Sequence, residues 1–263
     1  MHAPPNAGEV LGLRVDRIAY VEAVDRVLAA ASERRTFRVA AANVHVVMEA
    51  HDDPSLAALL ARFELVVPDG QPLRWMLNAR GGPRLEERVY GPELTRRVCA
   101  GAALRGLPVY FYGSTEGVLA DLSEALRGAF PALRIAGVRA PGFGEALWRE
   151  AEGDVEGILD SGARIVFVGL GCPRQERWVG LYAERLGLPC LAVGAAFDLL
   201  AGRRSMAPAW LQTRGLEWAY RLATEPERTW RRYLLHNPRF AVGAMRALIA
   251  DQLRGSPSRR GDG

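Results

Sequence analysis

Six short apolar runs, each followed by a longer amphipathic or loop-like stretch, constrain this chain more than any other feature of its sequence. They are FRVAAA (37–42), FELVV (63–67), PVYFY (108–112), LRIAGV (133–138), RIVFV (164–168) and LPCLAV (188–193). Their length and apolar character suit strands. Between them lie VEAVDRVLAAASERR, GPELTRRVCAGAALRG and STEGVLADLSEALRG, which read as helices. This alternation predicts an α/β fold with a Rossmann-like, doubly wound, mostly parallel sheet. LGLRVDRIAY near the start adds an edge strand or a hairpin. The expected organisation is an α/β body over residues 1–202, two halves around a cleft, then a helical appendage over 203–255 and a disordered tail over 256–263.

In an open sheet of this kind, ligands bind outside the carboxyl ends of the strands. The residues following each run are therefore the candidates for a site. Asn43 follows the first run, Asp69 the second, Gly113 and Ser114 the third, and Pro141-Gly142 the fourth. Gly169 and Gly171 follow the fifth with Gln175 just beyond, and Gly194 and Asp198 follow the sixth. Asp69, in VVPDGQPLRW, suits a turn or a helix N-cap equally well by residue type. Its place at a strand end favours a carboxylate that points into a site.

VGLGCPRQERW (168–178) is a strand–turn–helix junction, with Pro173 fit for the first helical position. Its glycines allow close backbone approach, and the N–H groups of a helix start attract phosphate. Gln175 and Glu176 fall in the first turn, within reach of a ligand, although Glu176 also suits simple complementation of the helix dipole. YGSTEG (112–117) is a similar junction, in which Ser114 or Thr115 serves as N-cap or as a phosphate contact. The pattern is GxGxxR, not the GxGxxG of dinucleotide binders, and GxxxxGK[ST] is absent. No D-x-D is present to hold a divalent ion against a nucleotide-sugar diphosphate; Asp52-Asp53 before Pro54 reads as a helix cap.

With 49% apolar and 24% charged residues the chain has enough material for a core, which excludes a disordered protein. No transmembrane helix or signal peptide is expected. Cys99, Cys172 and Cys190 form no CxxC, and His2, His45, His51 and His236 show no metal-ligand spacing; His45 and His51 read as ordinary helix residues. Charge is unevenly placed. Residues 203–263 hold twelve Arg against five Asp or Glu, an excess of seven positive charges, whereas the whole chain nets +4, so residues 1–202 net −3. The C-terminal quarter is thus a basic module suited to phosphate or an anionic surface. GLEWAYRLATEPERTWRRYLLHNPRFAVGAMRALIADQLRG (215–255) reads as helical, with breaks at Pro226 and at Asn237-Pro238, an N-cap followed by Pro at N1. Phe240, Ala244, Leu248, Ile249 and Leu253 form an apolar stripe flanked by Arg239, Arg246 and Arg254. Such a helix fits an anionic bilayer, and equally fits packing on the protein's own core or on another subunit.

Seven segments in order carry a resemblance: AAANVH (40–45), PDGQPL (68–73), RVYGPEL (88–94), FYGSTEGV (111–118), GLGCPRQERW (169–178), VGAAFDLLAG (193–202) and GLEWAYRLATEPERTWRRY (215–233). From about residue 10 to 245 the chain resembles the WecG/TagA/CpsF glycosyltransferases of bacterial surface-polymer synthesis. The resemblance implies an inverting transfer of N-acetylmannosamine, its uronic acid or glucose from a UDP-sugar to a polyprenyl-diphosphate-linked sugar, without an essential metal or other cofactor. It places the protein in the cytoplasm, peripherally on the inner face of the membrane through its appendage, with no nucleic acid partner and with a homo-oligomer compatible. It implies Asp69 as general base and Gln175 as a second catalytic residue. Arg88, with Asn43, Gly113, Ser114, Gly169, Gly171, Glu176 and Asp198, would bind substrate. Arg221, Arg228 and Arg231 would meet acceptor phosphates. Ala41 replaces the usual Thr two residues before the Asn, and Met206 replaces the Arg of the RAPxW segment, removing a hydroxyl and a guanidinium contact. Two other readings are a nucleotide-cofactor oxidoreductase, against which the missing GxGxxG counts, and a noncatalytic Arg-rich module binding nucleic acid or membrane, in which Asp69→Asn would change nothing.

Overall fold

A computed structural model describes residues 7–255; the side chains of Arg228, Arg231, Arg232 and Arg254 are outside the description. The tail expected to be disordered, 256–263, lies outside the described residues. The chain opens with β1 (Ala7–Val10) and β2 (Leu13–Asp16), then α1 (Tyr20–Glu33), β3 (Phe37–Ala42), α2 (Val44–Asp52), α3 (Pro54–Leu60), β4 (Leu65–Pro68) and α4 (Gln71–Ala79). There follow α5 (Gly91–Arg105), β5 (Val109–Gly113), α6 (Glu116–Ala129), β6 (Ile135–Arg139), α7 (Glu145–Asp160), β7 (Ile165–Gly169), α8 (Arg174–Leu186) and β8 (Pro189–Ala192). The last elements are α9 (Ala196–Leu200), α10 (Ala209–Thr213), α11 (Glu217–Thr224) and α12 (Pro226–Gly255).

All six runs become strands of one parallel sheet in the order β4-β3-β8-β7-β5-β6. Side chains alternate between its faces. Ala40, Ala42, Val66, Val166, Val168, Cys190 and Ala192 join one core with α2, α3, α4, α7 and α8. Val39, Ala41, Leu65, Val67, Phe111, Phe167 and Leu191 join a second core with α1, α5, α6 and α9. Burial on both faces explains why the central strands read as unbroken apolar runs.

The N-terminal segment forms the expected hairpin, a separate antiparallel pair turned by Leu11 and Gly12 at φ 49° and 89°, the positive-φ pair that suits strand twist. It shields the edge strand β4: the Asp16 carboxylate accepts the Val66 N–H at 2.7 Å. Two helix starts follow the sequence signals, at Asp53 and Thr115, and a third at Asn43 is shown by the structure. Asn43 caps α2, Asp53 caps α3 before Pro54, and Thr115 caps α6, whereas Ser114 takes a positive φ of 62°. Pro173 is one residue earlier than expected, at the N-cap of α8 rather than its first helical position.

One expected break does not occur. α12 runs on through Asn237-Pro238 as one helix of 30 residues. An interior proline forfeits a backbone hydrogen bond and disfavours a helix by about 3 kcal/mol. Contacts on both sides of it outweigh that penalty. Before it, Thr229 is 4% exposed and its hydroxyl donates to the Glu225 carbonyl at 2.7 Å. After it, Arg239 grips Asp52 through both carboxylate oxygens, Phe240 enters the first core, and Arg80 pairs with Asp251 at 2.6 Å. The apolar stripe read from the sequence therefore divides. Phe240 and Ala244 pack inward, while Ile249 and Leu253 stay exposed beside Val242 and Met245.

Candidate active site

The carboxyl ends of the strands share one edge of the sheet, and β4, β3 and β8 stand side by side there. Asp69 leaves the end of β4, its N–H held by the Ala42 carbonyl of β3 at 2.8 Å. Its Oδ1 accepts the N–H of Gly91, the first residue of α5, at 2.6 Å, and Oδ2 faces the Asn43 amide at 3.4 Å. Asn43 itself is committed as the cap of α2, accepting from His45 and Val46. Asp69 is thus neither a helix cap nor a turn former. It is a half-buried carboxylate at the carboxyl edge of the sheet, anchored through one oxygen to a helix start.

Its surroundings are charged and largely enclosed. Burial pushes the Asp69 carboxyl above its ordinary value, while Arg88 and the Gly91 N–H pull it back; Glu217 adds to the rise and Arg221 opposes it. Arg88 is buried, hydrogen-bonds Glu217 through Nη1 and Gln212 through Nη2 at 3.2 Å, and stacks over the Tyr90 ring at 4.3 Å. Burial disfavours its charge, but Glu217 and Asp69 more than offset this and raise its proton affinity. Arg221 of α11 donates to the Tyr90 hydroxyl at 3.1 Å. Burial drives that hydroxyl up to about 12, so it stays protonated. The appendage therefore meets the body beside Asp69, through Gln212, Glu217 and Arg221.

The glycine turns continue the same edge. A Cβ built on Gly91 would fall 3.0 Å from the Val193 carbonyl and 3.6 Å from Asp69 Oδ1, so α5 begins between Asp69 and the turn after β8. The next residue, Gly194, donates to Gln175 Oε1 at 3.0 Å, and Gly171 donates to the same oxygen at 3.2 Å. Gln175 Nε2 then donates to Glu176 Oε1 at 2.8 Å. In this conformation Gln175, 2% exposed, ties two glycine turns together rather than presenting its amide to the cleft. Glu176 is fully buried, unlike a carboxylate placed only to complement a helix dipole. Desolvation lifts it to about 7, against hydrogen bonds from Gln175 and Cys172.

Gly113 and Ser114 abut the turn after β7. A Cβ on Gly113 would lie 2.6 Å from Gly169 C, so only glycine allows these strand ends to meet, and the Ser114 N–H donates to the Gly169 carbonyl at 3.1 Å. Asp198 on α9 lies 3.7 Å from Arg204. Arg228 and Arg231 fall on α12, but their side chains lie outside the described set. Ala41, on β3, packs into the second core with its methyl 3.5 Å from a Cβ built on Gly91. Met206 is 53% exposed.

The structure thus gathers Asn43, Asp69, Arg88 and Arg221 into one group, and Gln175, Glu176, Gly171 and Gly194 into an adjoining one. Reading the sequence missed Gly91, Tyr90, Glu217 and Gln212. Gly91 and Tyr90 sat within RVYGPEL and Glu217 within GLEWAYR, so segment position was a signal for them; nothing marked Gln212.

The sequence family described as Glycosyl transferase WecG/TagA/CpsF matches residues 8–254. The N-acetylglucosaminyldiphosphoundecaprenol N-acetyl-beta-D-mannosaminyltransferase of Bacillus spizizenii is similar, 29% identical over 209 residues, covering 79% of this chain and 78% of the relative. The Bacillus subtilis protein of the same name is 24% identical over 209 residues, with the same shares covered.

Proposed function

Since the chain belongs to the glycosyl transferase WecG/TagA/CpsF family, we propose that it transfers N-acetylmannosamine, with inversion, from its UDP derivative to N-acetylglucosaminyl-diphosphoundecaprenol. The acceptor and the sugar are those in the names of its two Bacillus relatives. The observation that carries the chemistry is the Asp69 carboxylate, held by Gly91 at the carboxyl edge of the sheet with Arg88 and Arg221 around it. An inverting transfer needs a base for the acceptor hydroxyl as that oxygen attacks the anomeric carbon. Asp69 Oδ2, whose contact with Asn43 is long, is the acceptor of that proton. The bond from the anomeric carbon to the UDP oxygen breaks on the opposite face, and the negative charge passes to the diphosphate.

That charge needs stabilisation. The guanidinium groups of the appendage, with the positive dipole ends of the helices that follow the glycine turns, supply it.

The reading places the protein on the cytoplasmic face of the membrane, where a lipid-linked acceptor is met. Support comes from α10–α12, which expose Trp210, Trp218, Trp230, Leu234, Leu235, Val242, Met245, Ile249 and Leu253 beside arginines. Among the described residues no helix is long and apolar enough to cross a membrane. Amphipathic helices of this composition settle at the headgroup boundary.

The test offers a panel of UDP-sugars with N-acetylglucosaminyl-diphosphoundecaprenol and follows product by mass, for the native chain and Asp69→Asn. Transfer from UDP-N-acetylmannosamine, lost by about 10²–10⁴-fold in Asp69→Asn while donor binding persists, is the expected result. Unchanged turnover in the variant would remove Asp69 from the chemistry, and transfer of a different sugar would replace the donor.

A further inference from the structure

His45 and Glu49 stand one turn apart on α2, and His236 reaches them from α12. His45 Nδ1 and His236 Nε2 each lie 3.6 Å from the same Glu49 oxygen, and the three donor atoms fall within 4.8 Å of one another. A separation of 3.6 Å is longer than a hydrogen bond. It is close to the edge of a zinc coordination tetrahedron, where donors about 2.0–2.1 Å from the ion are about 3.3–3.4 Å apart. The two rings are tilted 55° with centroids 5.0 Å apart, so they are not stacked on one another.

Contacts independent of the cluster hold these donors in place. Arg239 binds both oxygens of Asp52 at 2.5 and 2.7 Å, fixing α12 against α2 one helical turn beyond the cluster. Phe240 anchors α12 in the core. The side chains of His45, His236 and Glu49 are 18%, 12% and 30% exposed, shielded from bulk water yet open to a small ion. A partly enclosed set of donors on two packed helices is preorganised for coordination.

We infer that His45, Glu49 and His236 bind a divalent transition-metal ion of the zinc type, which clasps the C-terminal helix to α2. Two imidazoles and one carboxylate match zinc and its first-row neighbours, and are a poor set for magnesium or calcium, which take all-oxygen shells. Water completes the fourth position. The ion takes no part in sugar transfer. It joins α12 to the helix whose cap, Asn43, faces Asp69, so it stiffens the attachment of the appendage to the cleft. Neighbouring charged groups are Asp52, His51 and Arg239 around α2 and α12, and Glu176 of α8, whose carboxyl senses Glu49.

The test uses the full, untagged chain, stripped with chelator and titrated with Zn²⁺ and with Co²⁺, alongside His236→Ala, Glu49→Gln and the control His51→Ala. The expected result is one equivalent of zinc per chain, visible absorption bands of tetrahedral cobalt, and slower proteolysis within α12 on zinc binding. Affinity should fall at least about 100-fold in His236→Ala and Glu49→Gln, since loss of an outer partner alone costs 10–100-fold, and should persist in His51→Ala. Glu49→Gln preserves shape if His236→Ala disturbs packing. Absence of zinc binding by the native chain, or equal binding by native and Glu49→Gln proteins, would overturn the site and leave a histidine–carboxylate contact.

Discussion

Replacing Glu176 with glutamine should flatten the dependence of stability on pH. The carboxyl is fully buried, and desolvation lifts it from 4.5 to about 7. Each tenfold change in proton affinity corresponds to about 1.4 kcal/mol, so the displacement amounts to roughly 3 kcal/mol. The sign follows from proton counts. Between roughly pH 4.5 and 7 the folded protein retains a proton that the unfolded chain has released, so the native state loses stability as pH rises through that interval. The contribution is fully present below the unfolded value and gone above the folded one. Glutamine at 176 keeps an oxygen for the Gln175 amide, which donates at 2.8 Å, and cannot titrate. Any fixed cost of its extra N–H₂ displaces the whole curve without changing its slope. Denaturant titrations from about pH 4 to pH 8 should therefore show the variant gaining roughly 3 kcal/mol relative to the native chain across the range. Parallel curves would refute the buried, titrating carboxyl. Because Gln175 also fastens the turns at Gly171 and Gly194, the same titration should shift the protection of those amides in hydrogen exchange.

Other substitutions probe the cleft and the appendage. The kcat/KM of transfer should fall as acid protonates Asp69, with the limb displaced above the ordinary carboxylate value because burial raises it; a limb at or below that value would contradict the enclosure of the cleft. Gly91→Ala puts a methyl 3.0 Å from the Val193 carbonyl and should destabilise by about 1–3 kcal/mol, with a larger proportional loss of kcat than of donor affinity. Arg88→Lys cannot bridge Glu217 and Gln212 while stacking on Tyr90, so protease sensitivity between residues 205 and 225 should rise. Phe240→Ala should cost about 3–5 kcal/mol in denaturant unfolding, since the ring is 6% exposed.

The groups around Asp69 come from segments far apart along the chain. Arg88 and Arg221, placed by segment resemblance, lie around Asp69, and the helices that carry Gln212 and Glu217 close over the same point. Gln175 hydrogen-bonds the turns at Gly171 and Gly194. A lone amide in the first turn of a helix has the same signature whether it faces a ligand or its own loops, and only the positions of Gly171 and Gly194 distinguish them.

By itself the sequence determined the sheet and the edge at which its strand ends gather. Apolar runs such as RIVFV and FRVAAA can only be buried on both faces, and intervening amphipathic stretches must cover them, so parallel order and the placement of Asp69 at a strand end follow from local pattern. It also determined the helix starts at Asp53 and Thr115, where side chains close to the backbone in sequence satisfy it. Tertiary structure alone decided the rest: that α12 carries through Pro238, that half of its apolar stripe faces inward, that Gly91 holds Asp69, and that His236 meets His45 and Glu49. Each of these depends on groups distant along the chain whose interaction strength is set by separation and burial, quantities that local residue order does not contain.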